Sequence, residues 1–119
     1  MKVLLDTNML LAPHQFGIDI FEFLKDYEMI TLSSCRAELR KLSHKRCDDG
    51  KAAKIALMLL KEKKIPVVRV REQGDRAILN YALQERCSVA TNDIDLIKAL
   101  KTYAIKVIRI RQKKYLVEE

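Results

Sequence analysis

Short apolar segments alternate with longer, helix-sized segments along nearly the whole chain, and this alternation is what most restricts the fold. The strand-like segments are Met1–Leu5, Met29–Leu32, Val67–Val70, Cys87–Ala90 and Lys106–Ile110. Each gap between them is long enough for a connection that returns the chain to the start of the next strand. Strands that alternate with helices pair in parallel, and the helices cover both faces of the sheet. The sequence therefore predicts an α/β fold built on a parallel sheet.

The helices are predicted from the spacing of apolar residues and from capping residues. Ser33 or Ser34 could cap the second helix, and Asp48 or Asp49 the third, because a short polar side chain can accept an orphan backbone N–H. The predicted helices are 18–27, 36–45, 51–63, one that begins at Asp75, and 96–101.

The size and composition indicate one domain covering residues 1–119. A chain of 119 residues can bury a single core, and its hydrophobic fraction of 49% is too high for a disordered chain. It has no apolar run long enough to span a bilayer and no leader-like segment before the first strand, so we expect a cytoplasmic protein without membrane association. Its three cysteines form no CxxC pair, which favours buried or partly buried free thiols over a disulfide framework or structural zinc.

The chain is basic. It has 23 lysines and arginines against 16 acids, a formal net charge of +7 and a pI near 9.4. An excess of this size favours a polyanionic partner such as nucleic acid.

Two aspartates follow strand-like segments directly. Asp6 comes after Val3-Leu4-Leu5, and Asp93 closes the Thr91-Asn92-Asp93 triplet after Ser88-Val89-Ala90. Open parallel sheets bind ligands at the carboxyl ends of their strands, in the crevice where strand order reverses. Both residues could instead cap the helices that follow them.

Glu38 and Asp75 lie close to the predicted starts of two further helices. Each could simply be a favourable negative charge in the first helical turn. Four carboxylates gathered at the sheet opening would raise one another's pKa values, and a hard divalent cation would relieve that conflict. An acidic metal pocket in a basic protein suits a phosphodiester substrate, because the metal can act on the scissile phosphate while Lys and Arg hold its neighbours.

Taken in order, these motifs resemble those of PIN-domain ribonucleases. The resemblance runs from the first strand to the fifth, through Asp6-Thr7-Asn8, Glu38-Leu39, Asp75 with Ala77-Ile78, and Thr91-Asn92-Asp93 with Leu96. It implies a three-layer α/β/α domain with a five-stranded parallel sheet, and a Mg²⁺- or Mn²⁺-dependent endoribonuclease.

The resemblance also implies roles for individual residues. Asp6, Glu38, Asp75 and Asp93 would form an acidic quartet that is both catalytic and metal-binding, with Asp95 as an auxiliary candidate. A surface acid in the first turn of a helix is an equal explanation for Asp95. Two supporting polar residues, Asn8 and Thr91, would orient carboxylates by hydrogen bonding.

Within the family, Val89–Asp93 and the ending Ile108–Leu116 look most like the archaeal branch related to the ribosomal-RNA-processing factor Fcf1. PIN domains of this size also include toxins that pair with an antitoxin, and the acidic quartet does not separate the two roles. The partners implied are RNA, with a homodimer, an antitoxin or a ribosome-assembly factor as alternatives. A module that binds RNA without cleaving it is a third hypothesis.

Several basic residues are candidates for RNA contact, and a solvated charged surface is the alternative for each. They are Arg36, Arg40 and Lys41 near Glu38, and Lys113 and Lys114 in a basic tail at about 111–119. Tyr115 beside this tail could stack on a base, although a frayed terminus explains the tail equally well. Three phenylalanines, Phe16, Phe21 and Phe23, are predicted to lie in the core.

Overall fold

A six-stranded sheet forms the middle layer of the molecule, which a computed structural model describes over residues 1–119. The strands are β1 (Lys2–Leu5), β2 (Glu28–Leu32), β3 (Val67–Val68), β4 (Ser88–Ala90), β5 (Val107–Arg111) and β6 (Tyr115–Glu118). Their order across the sheet is β3-β2-β1-β4-β5-β6. The first five strands are parallel, as the alternation of strands and helices predicts.

The sixth strand corrects the prediction of a five-stranded, wholly parallel sheet with a basic tail at 111–119. After β5 the chain turns through Gln112 and Lys113, and β6 returns antiparallel beside it. The N–H of Lys114 donates to the carbonyl of Arg111 at 3.0 Å. Both central turn residues have φ of 54°, which is typical of the tight turns that join twisted antiparallel strands. The hairpin was not predicted from the sequence because neither turn residue is glycine or asparagine.

The helices lie on both faces of the sheet and differ from the prediction mainly at their starts. They are α1 (Thr7–Phe16), α2 (Ile20–Phe23), α3 (Ser33–Leu42), α4 (Asp48–Glu62), α5 (Gly74–Glu85) and α6 (Ile94–Thr102). The predicted helix at 18–27 is wrong, because only one turn forms there. The longer helix α1 precedes it, capped by the Asp6 carboxylate and ended at Gly17, whose φ is +64°.

Two of the predicted helix caps are also wrong. Helix α3 begins at Ser33 itself, and the Ser33 hydroxyl bonds instead to the backbone of Val70 at 3.0 and 3.3 Å. Helix α4 begins at Asp48 with Cys47 in the capping position, so Asp48 and Asp49 are first-turn acids rather than caps. In that position their negative charges still interact favourably with the positive end of the helix dipole.

Alternating side chains of the sheet feed two separate apolar cores. Val3 and Leu5 of β1 pack with α1, α2 and α4 on one face, while Leu4 packs with α5 and α6 on the other. This alternation follows from the period of two in a β-strand.

Strand order reverses between β1 and β4. The chain adds β2 and β3 on one side of β1 and then crosses to add β4 and β5 on the other. The Asp6 N–H donates to the carbonyl of Ala90 at 3.3 Å, so the carboxyl ends of β1 and β4 are directly adjacent. In an open α/β sheet a ligand crevice forms at such a reversal.

The remaining structural expectations concern thiols and membranes. Cys35, Cys47 and Cys87 are all free, and Cys35 and Cys87 are buried as predicted. The prediction of burial is wrong for Cys47, which is exposed just before α4. None of the helices combines the length and the apolar character needed to cross a membrane.

Candidate functional site

Asp6 lies at the carboxyl end of β1 with only 4% of its surface exposed. Its carboxylate accepts a hydrogen bond from the Met9 N–H at 2.7 Å and another from the Thr91 hydroxyl. Burial raises the pKa of Asp6 to about 6; these two hydrogen bonds oppose the rise, and the neighbouring charges of Asp75 and Asp93 add to it. A carboxyl group shifted in this way by burial and by like charges is a marker of functional sites.

Thr91 joins the two strand ends. It is fully buried after β4, where its hydroxyl donates to Asp6 and accepts the Asp93 N–H at 3.1 Å. A hydroxyl has one proton to donate, so the bond to Asp6 fixes its direction. The side chain therefore links the Asp6 carboxylate to the backbone of Asp93. The supporting role that the resemblance implies for Thr91 stays a prediction.

Asp93 and Asp75 face each other from two helix starts. Asp93 caps α6 by accepting the Leu96 N–H at 3.1 Å, and Asp75 is in the first turn of α5. Partial burial raises the pKa of Asp75, and the charges of Asp93 and Asp95 raise it further. The structure thus gathers Asp6, Asp75 and Asp93 with Asp95 at the edge; we call these four residues the acid cluster.

Glu38 does not join the acid cluster directly. It lies in the middle of α3 rather than near its start, since the helix begins three residues earlier than predicted. Its carboxylate lines a cavity of about 480 Å³ together with Lys41 and Gly74. Gly74 immediately precedes Asp75, so this cavity adjoins the cluster. The charges that shift the pKa values of Asp6 and Asp75 do not include Glu38.

The acid cluster fits a hard divalent cation by its donor chemistry. All of its side chains offer carboxylate oxygens, and no lysine or arginine is among the charges that shift Asp6 or Asp75. No three or more His, Cys, Asp or Glu side chains are arranged to hold one metal ion together. Mg²⁺ commonly binds through only one or two carboxylates, waters and substrate phosphates, so a complete protein cage is not required.

A second cavity, of about 260 Å³, borders the cluster on its other side. Asn8, Gln15, Phe16 and Asp93 are among its lining residues. Asn8 is an exposed residue at the start of α1. It makes no hydrogen bond to the Asp6 carboxylate, whose partners are the Met9 N–H and the Thr91 hydroxyl. The prediction that the three phenylalanines lie in the core is wrong for two of them. Phe16 is 37% and Phe23 is 51% exposed, because each is the last residue of its helix, α1 or α2.

Two polar residues of the site, the buried Thr31 and the half-buried Asn92, are absent from the sequence-based prediction. The Thr31 hydroxyl donates to the Leu5 carbonyl at 2.8 Å and so holds the end of β1 just before Asp6. The Asn92 carboxamide accepts the Ile110 N–H at 2.7 Å and donates to the Ile110 carbonyl at 3.4 Å. The signal for Asn92 was its place between Thr91 and Asp93; Thr31 gave no comparable signal.

The predicted RNA-contacting residues separate into three places. Lys41 shares the cavity of Glu38, while Arg36 and Arg40 line a different cavity against α4. Lys113 is in the β5–β6 turn, with its ammonium 5.8 Å from the centre of the Phe16 ring. Lys114 follows it in the same exposed turn. Lys41 and Lys113 are therefore the two that lie beside cavities bordering the acid cluster.

Comparison with known proteins gives consistent matches. A family described as "PIN like domain" matches residues 3–113. The chain is 36% identical to ribonuclease VapC4 of Methanocaldococcus jannaschii, over 96% of this chain and 93% of the relative. It is 28% identical to ribonuclease VapC9 of Archaeoglobus fulgidus, over 92% and 82% of the two chains.

Among solved structures, the fold is similar to a domain of a functionally unknown protein from Methanocaldococcus jannaschii. The TM-score is 0.72 and the sequence identity 20%, with 99% of this chain and 96% of the other covered. At this identity the likeness concerns the fold alone.

Proposed function

The chain belongs to the PIN-like domain family, and from this premise we propose that it is a metal-dependent endoribonuclease of the toxin type. Residues 1–119 would act as one domain. The observation that carries the proposal is the buried Asp6 at the strand-order reversal, with Asp75 and Asp93 close enough for their charges to raise its pKa. Two relatives named ribonucleases, each aligned over most of its length, support RNA as the substrate.

In this proposal one or two of Asp6, Asp75 and Asp93 would bind Mg²⁺ or Mn²⁺ directly and the others would bind through its water ligands. Glu38 and Asp95 would be further acids of the same site. The bound cation supplies Lewis acidity, which neutralises charge on the scissile phosphate and lowers the pKa of the attacking water. Thr91 keeps Asp6 and Asp93 in register. Water adds to phosphorus and the bond to the 3′ oxygen breaks, which leaves 5′-phosphate and 3′-hydroxyl ends.

Charge outside the acid cluster suits the same substrate. Lys41 lies in the cavity beside Glu38, and Lys113 lies above the cavity beside Asp93. Cations on either side of a metal site can hold the phosphates that flank the scissile one. The net charge of +7 then raises the rate and strength of RNA encounter.

The test is cleavage of single-stranded and structured RNA by purified protein with Mg²⁺, with Mn²⁺ and with EDTA. We expect cleavage only with metal and none by Asp6→Asn. Asp26→Asn is the matched control, because Asp26 is exposed just before β2, at the opposite edge of the sheet. Equal cleavage by wild type and Asp6→Asn would exclude the assignment, and so would cleavage that persists in EDTA.

The toxin type is proposed over ribosomal-RNA processing. The chain covers 93% and 82% of two relatives that share the name ribonuclease VapC, so it matches short proteins along most of their length. A neighbouring gene for a small antitoxin-like protein, and inhibition of cleavage by that protein, would support the toxin type. A neighbouring ribosomal or RNA-processing gene would favour the Fcf1-like role. Tight RNA binding without products would favour the non-catalytic module.

A further inference from the structure

A small cavity lies beside the acid cluster, between α1, the loop after β4 and the end of β5. We propose that it binds one unstacked nucleobase of the RNA, with the Phe16 ring as the stacking surface. We call this cavity the base subsite. Since its ligand is RNA, the subsite rests on the proposed function. It adds to that function the part of the RNA that is held and the side chains that hold it.

The lining of the base subsite matches a single base. Met9 and Ile110 give it an apolar floor, and the carboxamides of Asn8 and Gln15 stand at its edge. Its volume of about 260 Å³ is below the roughly 300–1,000 Å³ of pockets for drug-sized ligands. Asp93 belongs both to this cavity and to the acid cluster, so a base held here places its own phosphate next to the cluster.

Phe16 is unusually placed for a phenylalanine. It is the last residue of α1, and 37% of its surface remains exposed, whereas Phe21 a few residues later is 6% exposed and packs in the core. An exposed ring beside a charged site can stack on any of the four bases, because each base has a π-face. The ring is also held by the helix, so little entropy is lost when a base stacks on it.

The β5–β6 turn brings a cation to the same ring. The Lys113 ammonium is 5.8 Å from the ring centre, near the outer limit for a cation–π contact. A stacked base can therefore displace this long side chain toward the adjacent phosphate. Gln112 and Lys113 both have φ of 54°, as in the tight turns that join twisted antiparallel strands, so the hairpin itself holds Lys113 beside the ring.

The polar groups of the subsite divide into fixed and available ones. The oxygen and the nitrogen of the Asn92 carboxamide both bond to the backbone of Ile110, so Asn92 forms a fixed part of the subsite wall. Asn8 is exposed, and Gln15 makes only a long bond of 3.4 Å to exposed Asp49. A carboxamide both donates and accepts, which allows it to pair with the edge of an unpaired base.

The test measures RNA binding by the full chain in EDTA, so that cleavage does not interfere. The probes are labelled single-stranded RNA oligonucleotides of each of the four homopolymeric sequences, compared at one salt concentration and then over a series of salt concentrations. We expect Phe16→Ala to weaken binding about tenfold or more, as for loss of one stacked base, and Phe16→Trp to retain it. Phe23→Ala is the matched control, since Phe23 is also exposed, at 51%, but lies outside the subsite. Lys113→Gln should weaken binding and reduce the salt dependence by about one phosphate contact.

An abasic scan then distinguishes a base from a backbone contact. Each position of the tightest-binding oligonucleotide is replaced in turn by an abasic nucleotide. We expect one position at which the loss of affinity seen with wild type disappears in Phe16→Ala. The subsite is overturned if Phe16→Ala binds like Phe23→Ala, or if no position shows this coupling.

These outcomes are separate from those of the proposed function. Base-dependent binding through Phe16 without any metal-dependent cleavage would overturn the nuclease and leave the subsite standing. Cleavage that depends on Asp6, with RNA binding unaffected by Phe16→Ala, would overturn the subsite and leave the nuclease standing.

Discussion

The acids at strand ends and the acids on helices are held in different ways. Asp6 and Asp93 each accept a backbone N–H at the start of a helix, and both are tied to Thr91. Asp75 and Glu38 are exposed on α5 and α3, and neither caps its helix. The site therefore has a half fixed by the sheet and a half carried on helix surfaces. The fixed half can define where a cation binds, while the other half can adjust to cation and substrate.

The largest expected effect comes from neutralising the fixed half. Asp6→Asn and Asp93→Asn should each lower metal-dependent RNA cleavage by at least about a hundredfold, because each removes a carboxylate that is proposed to hold the metal. Asparagine caps a helix as well as aspartate does, so the fold should be retained. Single-turnover cleavage with Mn²⁺ measures the effect, and circular dichroism checks the fold. Retained cleavage by both variants would remove the distinction between the two halves.

The second prediction concerns the stability of the metal-free protein. The folded pKa of Asp6, about 6, lies above its ordinary value of 3.8. The contribution of Asp6 to the stability of the fold is therefore fully present below about pH 4. It is lost as the pH rises through about 6, because the buried carboxyl must then ionise. The free energy of unfolding of Asp6→Asn relative to wild type should therefore increase by on the order of 2–3 kcal/mol between about pH 4 and about pH 7.5.

Urea unfolding in EDTA at both pH values measures this gain. Asp26→Asn is the control for the loss of an exposed acid, and its stability relative to wild type should change little with pH. A stability difference between Asp6→Asn and wild type that is independent of pH would mean that Asp6 is not strained by burial.

The third prediction separates position from charge in the fixed half. Thr91→Val keeps the shape of the side chain but removes the hydroxyl between Asp6 and Asp93. Loss of a buried hydrogen bond to a charged group should lower the free energy of unfolding by about 2 kcal/mol and cleavage about tenfold. Thr91→Ser should restore much of both. If Ser and Val behave alike, the hydroxyl does not position the acids.

The smallest effect is expected in the adjustable half. Glu38→Gln should lower cleavage no more than about fivefold, the scale of an interaction between exposed charges. Higher Mn²⁺ concentration should recover the lost rate, whereas it should not rescue Asp6→Asn. Kinetic titration of metal with each variant makes the comparison. A loss at Glu38 as large as that at Asp6 would show that Glu38 belongs with the fixed acids.

Sequence reasoning was most successful where a residue's neighbours in the chain determine its place. The position of Asp6 follows from three apolar residues before it, and the parallel pairing of the first five strands follows from the alternation of strands and helices. The prediction missed α1, because only the hydrogen bond from the Met9 N–H to the Asp6 carboxylate shows that a helix starts directly after β1. It failed again at the β5–β6 hairpin, where two left-handed residues form a turn without glycine.

The rest of the site could not be predicted because it depends on contacts distant in sequence. Nothing local marks Thr31 as the residue that fixes the end of β1, 26 positions before it. The exposure of Phe16 likewise depends on the cavity formed with Asn92 and Ile110 from the other half of the chain. Local patterns placed the acids at strand and helix boundaries, while tertiary packing decided which of them meet.

The bond between Thr91 and Asp6 joins residues separated by 85 positions. Strand β1 is made first, yet its partner β4 arrives only after five helices and two strands have been added. A chain that ends before β4 can hold neither Thr91 nor Asp93, so the acid cluster is a late product of synthesis and folding. If the two halves, cut between β3 and α5, were expressed separately, any cleavage regained on mixing them would report directly on the docking of β4 against β1.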